Sequence, residues 1–376
     1  MRHKYRNLLA LLMFVLRYNW PVNPKITLFC VPLHNSLSVL NQRTESGVYL
    51  HGVFSGKSAK HSIILEHIDL SDNRKINNGP FVASVGFFDG VHIGHRHLIK
   101  QVKEKAREHG LPSAIVTFPV HPRKVLQKNY QPALLCGYEE KLEQLSTTQI
   151  DYCISLPFTQ ILSRLSAGEF MREVLKEQIG VHTLLVGYDH RFGYNREEGF
   201  PAYQSYGEQL GIQVIQASEY QINGENVSST KIRSLLKKGE IQQANSLLSY
   251  NYTLSGRIVE GYRVGRTIGF PTANIRSWER FKVVPALGVY AVLVHIRDII
   301  YEGMLYIGTR PTLHDDPEIS VEVNIFDFNG DLYNQSLTVE FIDFIRADRK
   351  FDAMEELVAQ IHKDKYLVQR RLRNEK

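Results

Sequence analysis

From Phe81 onward, short apolar runs alternate with segments whose apolar residues recur every three or four positions. Phe81 to Val85 reads as a strand, and Leu98, Ile99, Val102 and Ala106 keep helical spacing up to Gly110. Further β-type runs are Ser113–Phe118, Tyr152–Leu156, His182–Gly187 and Gly211–Ala217. Helical spacing returns in Glu139–Leu145, from about Ala167 to Gln178, and in Ile232–Leu248 with a break at Gly239. The alternation predicts a mainly parallel sheet covered by helices, with ligands at the carboxyl ends of the strands.

Near Tyr250 the pattern becomes β-rich: Tyr252–Val259, Gly288–Arg297, Ile299–Ile307, Ile319–Phe328 and Leu337–Phe344. Asn329-Gly330 predicts a hairpin turn between the last two. A final helix, Phe351 to about Arg373, carries Met354, Leu357, Val358 and Ile361 on one face. A small antiparallel barrel or sandwich closed by a C-terminal helix is therefore expected. The chain divides into an extension (1–61), an α/β domain (62–248) and a β domain (249–376).

Composition changes this picture only at the amino end. The net charge of +6 is concentrated in residues 1–61, which carry eight basic side chains against Glu45, so residues 62–376 sum to −1. No nucleic-acid partner is expected of so neutral a body. Leu8–Leu16 is too short to span a membrane, and no small-residue cleavage site follows it before Trp20-Pro21. No membrane partner is expected. Nothing in 1–61 reads as a folded unit, and the extension is expected to be disordered or an artefact of start-site assignment. GVFSGKS (52–58) has His51 where a P-loop needs glycine, so it is read as a chance match. The three cysteines have neither pair nor metal-ligand spacing, which fits reduced thiols in a cytoplasmic protein.

Candidate chemistry begins at GFFDGVHIGH (86–95), a glycine turn between a strand and a helix. Such a turn gathers free N–H groups and the positive end of a helix dipole, which suits phosphate. His92 and His95 can donate hydrogen bonds there. VSSTKIR (227–233) opens a second helix, with Ser229 or Thr230 as cap and Lys231 and Arg233 as cations, although from this segment alone a plain cap with a solvated basic turn is the favoured reading. In GYRVGRTIGFPTANI (261–275), Thr272 and Asn274 carry oxygen ligands suited to Mg2+, although a structural turn would use the same residues. Glu322, in SVEVNIFDF (320–328), is either a solvent-facing strand residue or a general base.

Taken with FPVHPRKVL (118–126) and VGYDHRFG (186–193), these motifs resemble the bacterial bifunctional riboflavin kinase/FAD synthetase family over residues 62–376. The resemblance implies a Rossmann-like nucleotidyltransferase domain of the HIGH type, followed by an all-β riboflavin kinase barrel with a terminal α-helix. It implies phosphorylation of riboflavin to FMN, then adenylylation of FMN to FAD with release of pyrophosphate, each with Mg-ATP. Flavin is then substrate and product, not prosthetic group. By the family pattern His92 and His95 hold the ATP phosphates in a loop shaped by Gly86, Phe88, Asp89, Gly90 and Gly94. Asp189, Ser229, Thr230 and Arg233 assist nucleotide binding, and His121 and Pro122 face the flavin. In the kinase half, Gly265, Arg266 and Gly269 serve ATP, Thr272 and Asn274 hold Mg2+, Glu322 accepts the ribityl hydroxyl proton, and Arg346 contacts flavin.

Three positions depart from that pattern: Pro119-Val120 in reversed order, His190 in place of phenylalanine, and Cys136-Gly137 in place of a Thr pair. They leave open an enzyme with only one activity, and a flavin- or nucleotide-binding regulator without catalysis is the remaining alternative. The oligomeric state is not encoded in these patterns.

Overall fold

The computed structural model describes residues 27–31, 37–43, 48–55, 63–72, 75–127, 129–222, 224–260, 265, 268–310 and 318–373. The first sheet has nine strands. They are β1 (Thr27–Val31), β2 (Leu37–Arg43), β3 (Val48–Ser55), β4 (Ile63–Asp69), β5 (Phe81–Val85), β6 (Ser113–Thr117), β7 (Tyr152–Ser155), β8 (Val181–Val186) and β9 (Gln213–Gln216), in the spatial order β1-β2-β3-β4-β7-β6-β5-β8-β9. From β4 to β9 all pairings are parallel. Strand order reverses between β5 and β8, and the turn 86–95 leaves the carboxyl end of β5 at that switch point.

The central strands β5 to β8 are buried on both faces, with consecutive residues pointing into opposite helical layers. Val82 and Ile115 pack under α1 (Ile93–His109) and α3 (Tyr138–Ser146) with Ile99, Val102, Leu142 and Leu145. Ala83, Val116 and Leu184 meet the opposite layer, with Met171, Leu175 and Tyr203. That layer comprises α4 (Ala167–Glu169), continued as a π-wound segment Phe170–Ile179, and α5 (Phe200–Leu210). An ordinary helix is expected for 167–178. The buried residues Phe170, Met171, Val174, Leu175 and Ile179 recur at intervals that the wider turn keeps on one face.

Within the extension, β1 pairs antiparallel with β2 and β2 with β3, and β3 pairs antiparallel with β4. The GKS at 56–58 lies outside the described residues.

The second domain is a closed six-stranded antiparallel barrel: β12 (Thr253–Val259), β13 (Ala273–Ser277), β14 (Gly288–Ile296), β15 (Ile299–Arg310), β16 (Glu318–Ile325) and β17 (Ser336–Ala347), in the order β12-β13-β16-β15-β14-β17. A two-residue hairpin, β10 (Gln221–Ile222) with β11 (Glu225–Asn226), precedes it. The hairpin predicted at Asn329-Gly330 is absent, because β16 pairs with β13 and β15 while β17 pairs with β12 and β14. Residues 326–335 instead cross the barrel end. Strand β13, with only five residues, was not anticipated. The last helix, α8 (Met354–Leu372), buries Asp364 and Val368, whereas Met354 is half exposed and Leu357, Val358 and Ile361 are only partly covered. The packed face lies further along the helix than the sequence suggests, because Arg346 on β17 draws Asp364 inward through a two-pronged ion pair (Nε to Oδ1 3.0 Å, Nη2 to Oδ2 2.8 Å).

Two helices that precede the barrel in sequence belong to its core. Ile232, Leu235 and Leu236 of α6 (Ser229–Lys238), and Ile241, Ala244 and Leu248 of α7 (Ile241–Leu248), share one apolar cluster with Tyr252, Leu254, Tyr290 and Phe341. Leu135 from the α/β domain joins the same cluster. Beside it Leu134 N–H donates to Phe281 O (2.8 Å), Val283 N–H donates to Leu134 O (2.9 Å), and buried Lys282 pairs with Glu140 at 2.5 Å. Tyr250 donates its hydroxyl to the Gly90 carbonyl at 2.8 Å, joining the segment between the domains to the phosphate turn. Tyr250→Phe leaves that carbonyl unpaired, and urea denaturation of the variant should show a loss of about 1–3 kcal/mol.

Candidate active sites

The turn after β5 is tightly wound. Phe88, Gly90 and Val91 all have positive φ (53°, 76° and 37°), and a Cβ on Gly90 would lie 2.9 Å from Leu135. Only glycine fits there without displacement. Asp89 points inward and locks this geometry. Its Oδ1 accepts from Leu135 N–H (2.9 Å) and its Oδ2 from Arg233 Nη2 (2.9 Å), while Ser229 Oγ donates to its backbone carbonyl (3.1 Å). Burial raises the Asp89 pKa, and the Arg233 guanidinium opposes the shift. Gly90 N–H donates to the Cys136 thiol at 3.1 Å, and burial pushes that thiol far up, which keeps it protonated.

His92 caps α1, its Nδ1 accepting from His95 N–H at 3.3 Å, and the two rings stack with centroids 3.6 Å apart. A ring whose Nδ1 accepts is neutral with its proton on Nε2. Burial, then the nearby Arg233 charge, lowers the His92 pKa to about 4, and burial holds His95 well below its usual value. Both imidazoles are hydrogen-bonding groups at neutral pH rather than cations.

A cleft of about 270 Å³ opens over them. Of the residues expected at phosphate, Gly86, Phe88, His92, Gly94, His95, Asp189 and Ser229 line it. Asp89, Gly90, Thr230 and Arg233 do not: the first two build the turn, and Arg233 spends its charge on Asp89 with Thr230 beside it at 3.4 Å. The cap of α6 is Ser228, which accepts from Lys231 N–H, rather than Ser229 or Thr230. Val85 and His190 also border a second, smaller hollow lined by Phe118, Phe158, Leu162 and Phe192. This lining was missed in the sequence because Phe158 lies in irregular chain and Leu162 in a single 3-10 turn, neither of which carries periodicity. His121 caps the short helix α2 (Pro122–Leu126) and meets the Phe87 ring edge-on at 4.7 Å. Neither His121 nor Pro122 lines either hollow.

In the barrel, Asn274 on β13 and Tyr306 on β15 flank Glu322 on β16 in register. Thr272 Oγ1 donates to Glu322 Oε2 at 3.2 Å. Buried Asn324, two residues further along the strand, donates to Pro271 O at 2.7 Å and so fixes the approach to Thr272; it escaped the sequence reading although it shares the Glu322 face. A cleft of about 260 Å³ is lined by Gly265, Thr272, Asn274, Asp331 and Tyr333. Glu322 stands beside Thr272 rather than on that lining. Gly269 (φ 80°) is part of the turn but not of the cleft wall, and Arg266 lies outside the described residues. Arg346 is engaged by Asp364 and does not reach the cleft.

Comparison with known proteins assigns both halves. A family model described as FAD synthetase matches residues 74–231, and one described as riboflavin kinase matches 248–372. The bifunctional riboflavin kinase/FMN adenylyltransferase of Listeria monocytogenes is 37% identical over 284 residues, 75% of this chain and 90% of the relative. The chain belongs to the bifunctional riboflavin kinase/FMN adenylyltransferase family.

The Escherichia coli member is 36% identical with the same coverage, and the Bacillus subtilis member 34% identical over 76% of this chain and 90% of its own. A solved structure from Streptococcus pneumoniae, described as a macrolide-efflux protein, superimposes with a TM-score of 0.73 at 31% identity, covering 81% of this chain and 98% of that one. Among the described residues no helix is long and apolar enough to cross a membrane. Against the riboflavin kinase/FMN adenylyltransferase pattern, two of the departures have local explanations. The Cys136 thiol accepts the Gly90 N–H, and Gly137 starts α3 with its N–H on Glu140 (2.8 Å). Burial lowers the His190 pKa to about 4, so an uncharged ring stands at the aromatic position.

Proposed function

We propose that the barrel cleft converts riboflavin to FMN and that the α/β cleft converts FMN to FAD, each with Mg-ATP, in the cytoplasm. The observation that carries the assignment is that each family match covers its own cleft, with the stacked His92–His95 pair in one and the Thr272–Glu322 pair in the other.

In the kinase step the ribityl hydroxyl oxygen attacks the γ-phosphorus of ATP, its proton passes to Glu322, and ADP leaves. Thr272 Oγ1 and the Asn274 side-chain oxygen are hard donors on the cleft wall and fit one face of Mg2+, which supplies charge neutralisation on the phosphates. Among the described residues no group of three His, Cys, Asp or Glu side chains could hold a metal, in keeping with a cation that arrives with the nucleotide. In the second step a phosphate oxygen of FMN attacks the α-phosphorus of ATP and pyrophosphate leaves. No protein nucleophile is required; His92 Nε2–H and the turn N–H groups stabilise charge on the phosphoryl oxygens. The aromatic hollow beside Val85 and His190 suits the flavin ring, in preference to His121 and Pro122.

Purified protein given riboflavin, ATP and Mg2+ should accumulate FMN first and FAD after it, and a chelator should stop both. Absence of both flavins would overturn the assignment.

A further inference from the structure

We propose that Lys141 is the fixed positive charge of the adenylyl-transfer site and its principal positioning residue. The inference rests on assigning that step to the α/β cleft. Lys141 is 2% exposed, at the fourth position of α3, and its ammonium makes three hydrogen bonds: to Phe87 O (3.0 Å), Phe118 O (2.8 Å) and Thr117 Oγ1 (3.2 Å). Phe87 opens the turn that carries His92 and His95, and Phe118 opens the loop that carries His121. One side chain thus ties the carboxyl ends of β5 and β6 together where the ligand must lie.

The ammonium also stands 4.2 Å from the centre of the Phe87 ring, and Phe87 lines the cleft. Among the described residues Lys141 has no carboxylate partner within ion-pairing distance. Burial lowers the Lys141 pKa, and Asp89, one of the groups that oppose the shift through space, is itself engaged by Arg233. A buried cation without a counter-ion is costly and is better tolerated where anions gather. Burial and the neighbouring rings account for most of the lowering of the His95 pKa, and Lys141 adds to it, so its charge is felt at the cleft wall. Arg233 is neutralised by Asp89, so Lys141 supplies the uncompensated charge toward which triphosphate is drawn, while the neutral histidines supply directed donors.

Lys141→Met should lower kcat for FAD formation from added FMN about 10²-fold, the cost of a displaced site, and raise KM for ATP. FMN formation from riboflavin by the same protein should change less than about twofold, since the barrel does not use this residue. Histidine titration followed by NMR should move His95 and His121 upward in Lys141→Met but not in Lys141→Arg, which keeps the charge, whereas looser packing would hydrate the rings and raise them in both variants. Lys141→Arg should recover part of kcat. If Lys141→Met does not fold, the isosteric Thr117→Val removes one acceptor and should lower kcat for FAD formation severalfold. Wild-type FAD formation in folded Lys141→Met, or in Thr117→Val where that variant decides, would overturn the proposal. Failure of the unaltered protein to adenylylate FMN would instead overturn the functional assignment.

Discussion

Glu322→Gln should abolish FMN formation, lowering kcat by about 10²–10⁴-fold, the usual contribution of a general base, while FMN supplied from outside is still converted to FAD. Gln preserves the size of the side chain and still accepts a hydrogen bond from Thr272, which donates to Glu322 at 3.2 Å. The strand register that sets Asn274 and Tyr306 on either side stays intact. What is lost is the carboxylate proposed to take the hydroxyl proton. Following both flavins by chromatography separates the two steps in one sample, and a Glu322→Gln protein that makes FMN at the normal rate removes Glu322 from the role of base.

The second large effect is expected at the other cleft. His92→Asn should let FMN accumulate without FAD, with a loss of about 10²–10³-fold in kcat for adenylylation, comparable with removal of one oxyanion donor. Asparagine can still accept the His95 N–H and cap α1, so the melting temperature should hold. His92→Ala loses the cap as well and should cost about 0.5–2 kcal/mol of stability. Because burial lowers the His92 pKa to about 4, the neutral ring is expected to be the working form near pH 7. FAD formation should therefore show no inflection near pH 6.5, and an inflection there that disappears in His92→Asn would show that the charged ring does the work.

The strand, glycine turn and helix around residue 90 were legible because all their determinants lie within thirty or so positions: an apolar run, two glycines, helical spacing and a glycine stop. Five of the six barrel strands were legible for the same reason, and β13, with five residues, was too short to stand out. The hairpin at Asn329-Gly330 was misread because closure of a barrel is decided by edges far away in sequence, and both edges of β16 were already taken. Arg233 was read as a ligand for phosphate. Its partner, Asp89, lies 144 positions earlier, and nothing local to VSSTKIR announces it. The same holds for Arg346, whose fate is set by Asp364 on a different element. Residue type announced the chemistry available to each site; which cations remained free for it depended on pairings made through the fold.

The apolar cluster that unites α6 and α7 with the barrel bears on how the protein is made. A chain emerging amino end first completes β4 to β9 early, but Leu235, Leu248 and Leu135 find their neighbours only after Tyr290 and Phe341 have been synthesised. Domains that fold as units usually do so in order of synthesis. By that rule the half that performs the later chemical step would begin folding first, yet its turn is braced by Tyr250 and its Leu134 by the 281–283 segment, both made later with the half that performs the earlier step. A ribosome-bound chain truncated before the barrel would carry every adenylylation side chain and still lack the wall against which they are set.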